Sequence, residues 1–459
     1  MNNRNQGEER DIVQLAEMEE TQPSRSSSDA RQEMLRVSAI GRALRHRNFQ
    51  LFFSGQLISL IGTWMQNVAQ AWLVYRLTGS SLLLGVVGFA GQIPVFLFAP
   101  VGGIVADRWN RHRVVIGTQT AAMILAFILS SLTLLHVVRV WEIVVLASLL
   151  GAVNAFDIPA RQSLLIDMVG REDLMNAIAL NSSMFNGARV IGPAIAGLLV
   201  AWIGEGWCFF ANAVSYIAVL IGLLMMQLGP LRQSLTDASP FEHMAEGLRF
   251  VTRTAPIRAL ILLIGLVSLV AVPYSVLMPI FADRILHGGA RGLGILMGAT
   301  GVGALLGALT LAMRHGVHGL GRWVGFSAAS FGVSLILFSF SRWFAVSMLL
   351  LVPVGYSVML QMSSCNTLIQ TVVPDELRGR AMAAYTMMFM GMAPMGSLFA
   401  GAVAQRIGAP WTVAIGGMGA IVGAAIFLRK LPALRFEAQQ LIRAQGIGGS
   451  ETAEEVSTR

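Results

Sequence analysis

Apolar stretches long enough to cross a lipid bilayer recur along most of this 459-residue chain. A transmembrane helix needs about 20 predominantly apolar residues to span the hydrocarbon core. Cutting the sequence at its polar breaks gives twelve such runs: 49–76, 81–106, 113–136, 141–168, 174–203, 206–228, 258–284, 290–313, 320–341, 343–372, 376–407 and 409–430. Lipid leaves the backbone only helices or closed barrels, and these runs are too long and too unalternating for barrel strands. The expectation is an all-α membrane protein with twelve transmembrane helices in two six-helix bundles. Only 13% of residues are charged, against about 25% in a soluble domain.

The polar segments divide the spans. Residues 1–48 are expected to be a disordered tail ending in a basic surface segment, "GRALRHRNFQ". The six spans of 49–228 form a first bundle. A linker, 229–257, carries "SPFEHMAEGLRFV", which has the look of a surface helix capped by Ser239. A second bundle, 258–430, is followed by a polar tail, 431–459, that begins with an amphipathic stretch.

Positive charge sets the orientation. Of 33 Lys and Arg residues, 25 fall on the membrane face shared by both tails and 6 on the other. The rule that cytoplasmic loops are the basic ones puts both termini in the cytoplasm. The net charge of +8 is then a topology signal, and no nucleic-acid partner is expected. The expected home is a bacterial cytoplasmic membrane, crossed many times by a monomer.

A weak internal repeat relates the halves. "LLIDMVGRED" (164–173) aligns with "LIQTVVPDEL" (368–377) at an offset of 204 positions, which also brings Gly192, Gly197 and Gly204 onto Gly396, Gly401 and Gly408. "LLLGVVG" (82–88) likewise matches "RGLGILM" (291–297). Two related halves facing a midplane site describe a secondary transporter.

Several chemistries are excluded. Cys208 and Cys365 both lie in apolar runs, the histidines are scattered, and no metal-ligand spacing exists. The only lysine, Lys430, precedes a leucine, so there is no Walker A loop. No metal, cofactor or enzymatic activity is expected.

Two motifs stand out. "GGIVADRWNRHRVV" (102–115) joins spans 2 and 3, with Gly103, Asp107, Arg108, Arg111 and Arg113 spaced as Gly-x-x-x-Asp-Arg-x-x-Arg. There a glycine allows close helix approach, and the aspartate can latch onto an arginine or a helix N-terminus. "GARVIGPAIAGLL" (187–199) places Gly192, Pro193 and Gly197 in span 5 as a bend with a thin face, to which the glycine run 301–309 of span 8 is a natural partner.

These segments, with "RHRNFQLFFSGQLISLIGTWMQ" and "NAFDIPARQS", resemble the major facilitator superfamily over residues 45–430. Within it they resemble the enterobactin-exporter-like, or transmembrane secretion effector, branch. The first motif resembles the superfamily's gating loop, with Asn110 where glycine is usual. The second resembles its antiporter motif, which accompanies exporters. Ala147 stands where a span-4 arginine would be expected.

Charges inside the spans are the candidate machinery. Asp157 and Arg161 share a helical face of span 4. Placing spans 4 and 5 side by side brings Asn186 and Arg189 to them, giving a polar cluster facing the cavity. A lone charge at the bilayer centre costs roughly 2.5–3.5 kcal/mol on insertion scales, so such groups must pair or meet water. One reading is a structural ion pair. The other makes Asp157 a proton-coupling site, while the arginines attract an anionic substrate or tune the carboxylate. Gln66, Asn67, Gln70, Gln92, Tyr274, Gln361 and Asn366 are candidate substrate contacts. The expected function is export of a small organic molecule, siderophore-like or an amphipathic drug, by alternating access with proton antiport. An importer or uniporter of the same fold is the alternative, and a flippase or channel is less favoured.

Overall fold

A computed structural model describes residues 41–227, 249–314, 316 and 319–444. After a 3-10 turn, Arg42–Arg45, twelve long helical segments follow. They are α1 (Arg47–Thr78), α2 (Ser81–Arg108), α3 (Arg111–Leu134), α4 (Val140–Val169), α5 (Leu174–Ile203), α6 (Glu205–Leu224), α7 (Ala255–Val270 and its continuation), α8 (Gly289–Ala312), α9 (Leu320–Phe340), α10 (Phe344–Val372), α11 (Asp375–Ile407) and α12 (Ala409–Ala444). Among the described residues, eleven are long and apolar enough to cross a membrane. The twelfth is α1, whose amides Gln56, Gln66, Asn67 and Gln70 dilute its hydropathy. It nonetheless packs within the first bundle, against α5 and α6.

Two boundaries differ from the sequence reading. The seventh span starts at Ala255 and loses α geometry after Val270, passing through a 3-10 stretch (Val272–Leu277), a single α turn (Met278–Ile280) and a π turn (Phe281–Ile285). Pro273 and Pro279 each lack an amide hydrogen and cannot continue an α ladder. The twelfth helix does not stop at 430 but runs through Pro432 to Ala444. Most of the expected N-terminal tail, most of the linker with Ser239, and the chain beyond 444 lie outside the described residues.

The packing is pseudo-symmetric. In the first bundle α4 packs on α2 and α3, α1 on α5 and α6, and α3 on α6. In the second, α10 packs on α8 and α9, α7 on α11 and α12, and α9 on α12. The bundles meet along two crossings, α5 with α8 and α2 with α11.

Glycine sets both crossings. A Cβ added to Gly197 would sit 2.9 Å from the Gly294 Cα, and one added to Gly401 would sit 2.9 Å from the Gly85 Cα. No side chain fits at that separation, so the backbones themselves touch. Gly197 aligns with Gly401 and Gly85 with Gly294 in the internal repeat, so the two crossings are the same contact made twice.

Candidate functional site

Asp157 sits inside α4 with 3% of its surface accessible. Its Oδ2 lies 3.1 Å from Arg161 Nε, one turn on. Its Oδ1 accepts hydrogen bonds from Thr118 Oγ1 and Gln119 Nε2 of α3, both at 2.8 Å. The carboxylate therefore has one charged and two neutral donors, which is what an ion this deep requires. Arg161 is the more accessible member, with a quarter of its side chain exposed.

The expected four-membered cluster is not formed. Asn186 donates to the Ser182 carbonyl at 2.9 Å. The Arg189 guanidinium lies 5.7 Å over the Trp64 ring of α1, within cation–π range. The reason is topological. Helices α4 and α5 are consecutive but barely touch; α4 turns its polar face to α3, and α5 goes to α1 and α8. Arg189 is half-buried, pairs with no carboxylate among the described residues, and lies within electrostatic reach of Tyr274 in the broken seventh span. It thus stands where α1, α5 and α7 converge between the bundles.

The end of the bundles away from the tails is clasped shut. Tyr75 of α1 donates to Asp283 Oδ2 at 2.8 Å. Arg284 donates to the Gly79 carbonyl at 3.3 Å and lies over the Tyr75 ring at 5.7 Å. Ser81 of α2 donates to Gln405 of α11 at 3.0 Å. Toward the tail face α2 and α11 line a cavity of about 600 Å³, with Val95, Phe96, Pro100, Arg380, Met387 and Met390 among its walls. Sequence reasoning missed Asp283, whose signal was the adjacent Asp283-Arg284 pair closing an otherwise apolar run.

The loop motif is built differently from its sequence reading. The close approach belongs to Gly102, where a Cβ would collide with the Ala155 carbonyl; Gly103 has open space around it. Asp107 is exposed, and the latch is Arg111 to Asp167 of α4, at 3.2 Å. Arg111 Nε also donates to the Ala106 carbonyl at 3.2 Å. Arg108 and Arg113 are exposed. In the span-5 motif Gly197 does meet α8, but at Gly294 rather than in the 301–309 run. Of the glycines in that run, Gly301 alone meets α5, at Arg189 and Val190; Gly192 packs on α1, and Pro193 stays within a continuous helix.

The remaining candidates separate into two groups. Gln66 is buried and accepts from Asn212 of α6 at 2.7 Å, so it joins helices within one bundle. Gln361 is fully buried in α10, with neither amide atom hydrogen-bonded. Asn366 accepts from Gln370 one turn on. Tyr274 is buried against Phe331. Asn67 and Gln92 are exposed and Gln70 is half-buried. No group of three metal-ligating side chains converges among the described residues.

Two six-helix halves, related by an internal repeat and joined at two glycine crossings, define a secondary transporter of the major facilitator superfamily. More narrowly, residues 40–459 match the transmembrane secretion effector model, and the chain belongs to that family. It is a membrane transporter and not an enzyme. Among curated relatives it is 26% identical to the staphyloferrin A transporter of Staphylococcus aureus over 382 residues, covering 82% of this chain and 94% of that one. It is 28% identical to the multidrug efflux pump Tap of Mycolicibacterium fortuitum, over 76% and 87% of the two chains. It is 25% identical to the enterobactin exporter EntS of Escherichia coli, over 85% and 93%. Among solved structures, a POT family transporter in complex with 5-aminolevulinic acid superposes with a TM-score of 0.67 at 12% identity, covering 84% and 96%.

Proposed function

We propose that this chain exports a small organic molecule, siderophore-like or amphipathic and drug-like, from the cytoplasm by alternating access in exchange for protons. The observation that carries the reading is the asymmetry between the two ends of the bundle interface. One end is closed by Tyr75–Asp283, Arg284–Gly79 and the two glycine crossings; the other holds the α2/α11 cavity. With the tails in the cytoplasm, the side the charge bias supports, this is an inward-open state ready to load cargo from inside.

Asp157 is the proposed proton site. Ionised, it is held by Arg161, Thr118 and Gln119. Protonation would cancel its charge and release Arg161 toward the accessible side. Arg189, Trp64 and Tyr274 are the proposed cargo contacts, because they come from both bundles and leave a cation without a carboxylate partner. Relatives named for siderophore transport and for drug efflux support the direction and the size of the cargo.

The test is gradient-driven transport in everted vesicles over a panel of siderophores and lipophilic drugs. Wild-type protein should accumulate a substrate saturably when the vesicle interior is acid, and a protonophore should abolish uptake. Asp157→Asn should insert normally, lose proton-driven uptake to the level of empty vesicles, and retain substrate–substrate exchange. Wild-type proton-driven uptake by that variant would remove Asp157 from the coupling role. Unsaturable flux would favour a channel.

A further inference from the structure

The first bundle carries a cavity that the transport reading does not use. It holds about 1100 Å³ and is lined by the tail-side end of α2, one face of α3 and one face of α4. Helix α3 packs chiefly on α4 and α6, away from the second bundle, so this groove opens sideways from the bundle and not into the space between the halves. Its walls are apolar, with Ile124, Leu125, Leu149, Val153 and Phe156 toward the membrane interior. Its mouth is different: Arg108, Trp109 and Arg113 lie there, at the turn between α2 and α3. Both arginines and the tryptophan are exposed. The described lining residues include no carboxylate, and neither arginine has an ion-pair partner among the described residues. The exposed guanidinium groups therefore sit at headgroup depth above an apolar slot, beside an indole suited to the membrane interface.

We propose that this groove is a binding site for an anionic phospholipid of the tail-side leaflet. The phosphate and its negative headgroup lie between Arg108 and Arg113, and one acyl chain runs down the slot past Thr118 toward Ile124, Leu125 and Leu149. Charge decides the occupant. Two unpaired cations without a neighbouring lining carboxylate attract a net negative headgroup over a zwitterionic one, and guanidinium groups bind phosphate oxygens in bidentate fashion. The position of Thr118 gives the site a consequence. Its hydroxyl donates to Asp157, so the upper part of the chain covers the lipid side of the buried carboxylate's hydrogen-bond shell.

Native mass spectrometry of the full chain tests this, after reconstitution in nanodiscs of phosphatidylglycerol, phosphatidylethanolamine or phosphatidylcholine and mild delipidation. Wild type should retain phosphatidylglycerol about 30-fold more than phosphatidylcholine, the preference two surface arginines supply. Arg108→Gln with Arg113→Gln should abolish that preference. Ala121→Trp, which keeps both arginines but fills the groove, should lose bound lipid altogether, and it serves as the independent arm if the double variant folds poorly. Equal retention of the three lipids by wild type would overturn the proposal, as would an undiminished preference in the double variant. Displacement of the lipid by millimolar glycerol phosphate would overturn it too, since that marks a simple anion site.

Discussion

Asp157 of α4 and Gln361 of α10 occupy the same place in the two halves, separated by the offset of 204 positions that also brings Gly197 onto Gly401. Their surroundings are opposites. Asp157 has three donors on its two oxygens. Gln361 is completely buried with neither amide atom satisfied, and Ser364, one turn on, is unsatisfied as well. Arg161 has Cys365 as its counterpart, so the second half has neither member of the ion pair. The fold was duplicated while the charge was not. At this level the halves differ: the first buries a paired carboxylate inside its bundle, and the second buries an amide without a hydrogen-bond partner.

The sharpest way to break this contrast is to remove the guanidinium. Arg161→Leu leaves Asp157 buried beside neutral donors only. Breaking a buried pair from one side costs about 3–5 kcal/mol, and thermal unfolding in detergent should show a large loss. Adding Asp157→Asn to the same chain should restore most of it, because no ion is then stranded. Stability equal to wild type in Arg161→Leu would mean that the pair is solvated and that the two halves do not differ as described.

A second test concerns a carboxylate of the second half. Asp283 serves the interface and not its own bundle, through Tyr75. Asp283→Asn exchanges a charge-assisted hydrogen bond for a neutral one. It should favour opening at the end away from the tails by about tenfold, the value of one such bond. Cysteine labelling at Asn67, from the membrane face opposite the tails, should rise accordingly, with little change in melting temperature. A melting shift as large as that of Arg161→Leu would show instead that Asp283 stabilises its bundle.

Much of this arrangement was readable in advance, for specific reasons. Helix number follows from hydropathy, because hydropathy is a property of local sequence. Gly197 with Gly401 and Gly85 with Gly294 were legible as aligned glycines, but the contacts Gly197–Gly294 and Gly85–Gly401 were not, because the span-5 face was expected to meet 301–309. The partners of Asp157 were not legible. A charge in an apolar run announces that it needs partners, yet which helix supplies them depends on packing order. Placing α4 beside α5 followed chain order, whereas the fold sets α4 against α3, whose Thr118 and Gln119 look like any polar pair in a span. The one-residue difference between Gly102 and Gly103 is of the same kind, because helix rotation about its axis is set by the neighbour it packs against.

The smallest expected effect probes the neutral side of the comparison. An unsatisfied buried amide costs free energy that an apolar residue of similar shape does not. Gln361→Met should therefore keep the packing of α10 against α8 and α9 and raise stability by about 1 kcal/mol. The same replacement at Asp157 should lower it. If Gln361→Met stabilises but slows transport, the polar spot finds its hydrogen bonds in another state of the cycle, and its cost in the present state helps drive the change. If it leaves both stability and transport unaltered, the amide is satisfied by water here, and the two halves differ in charge alone.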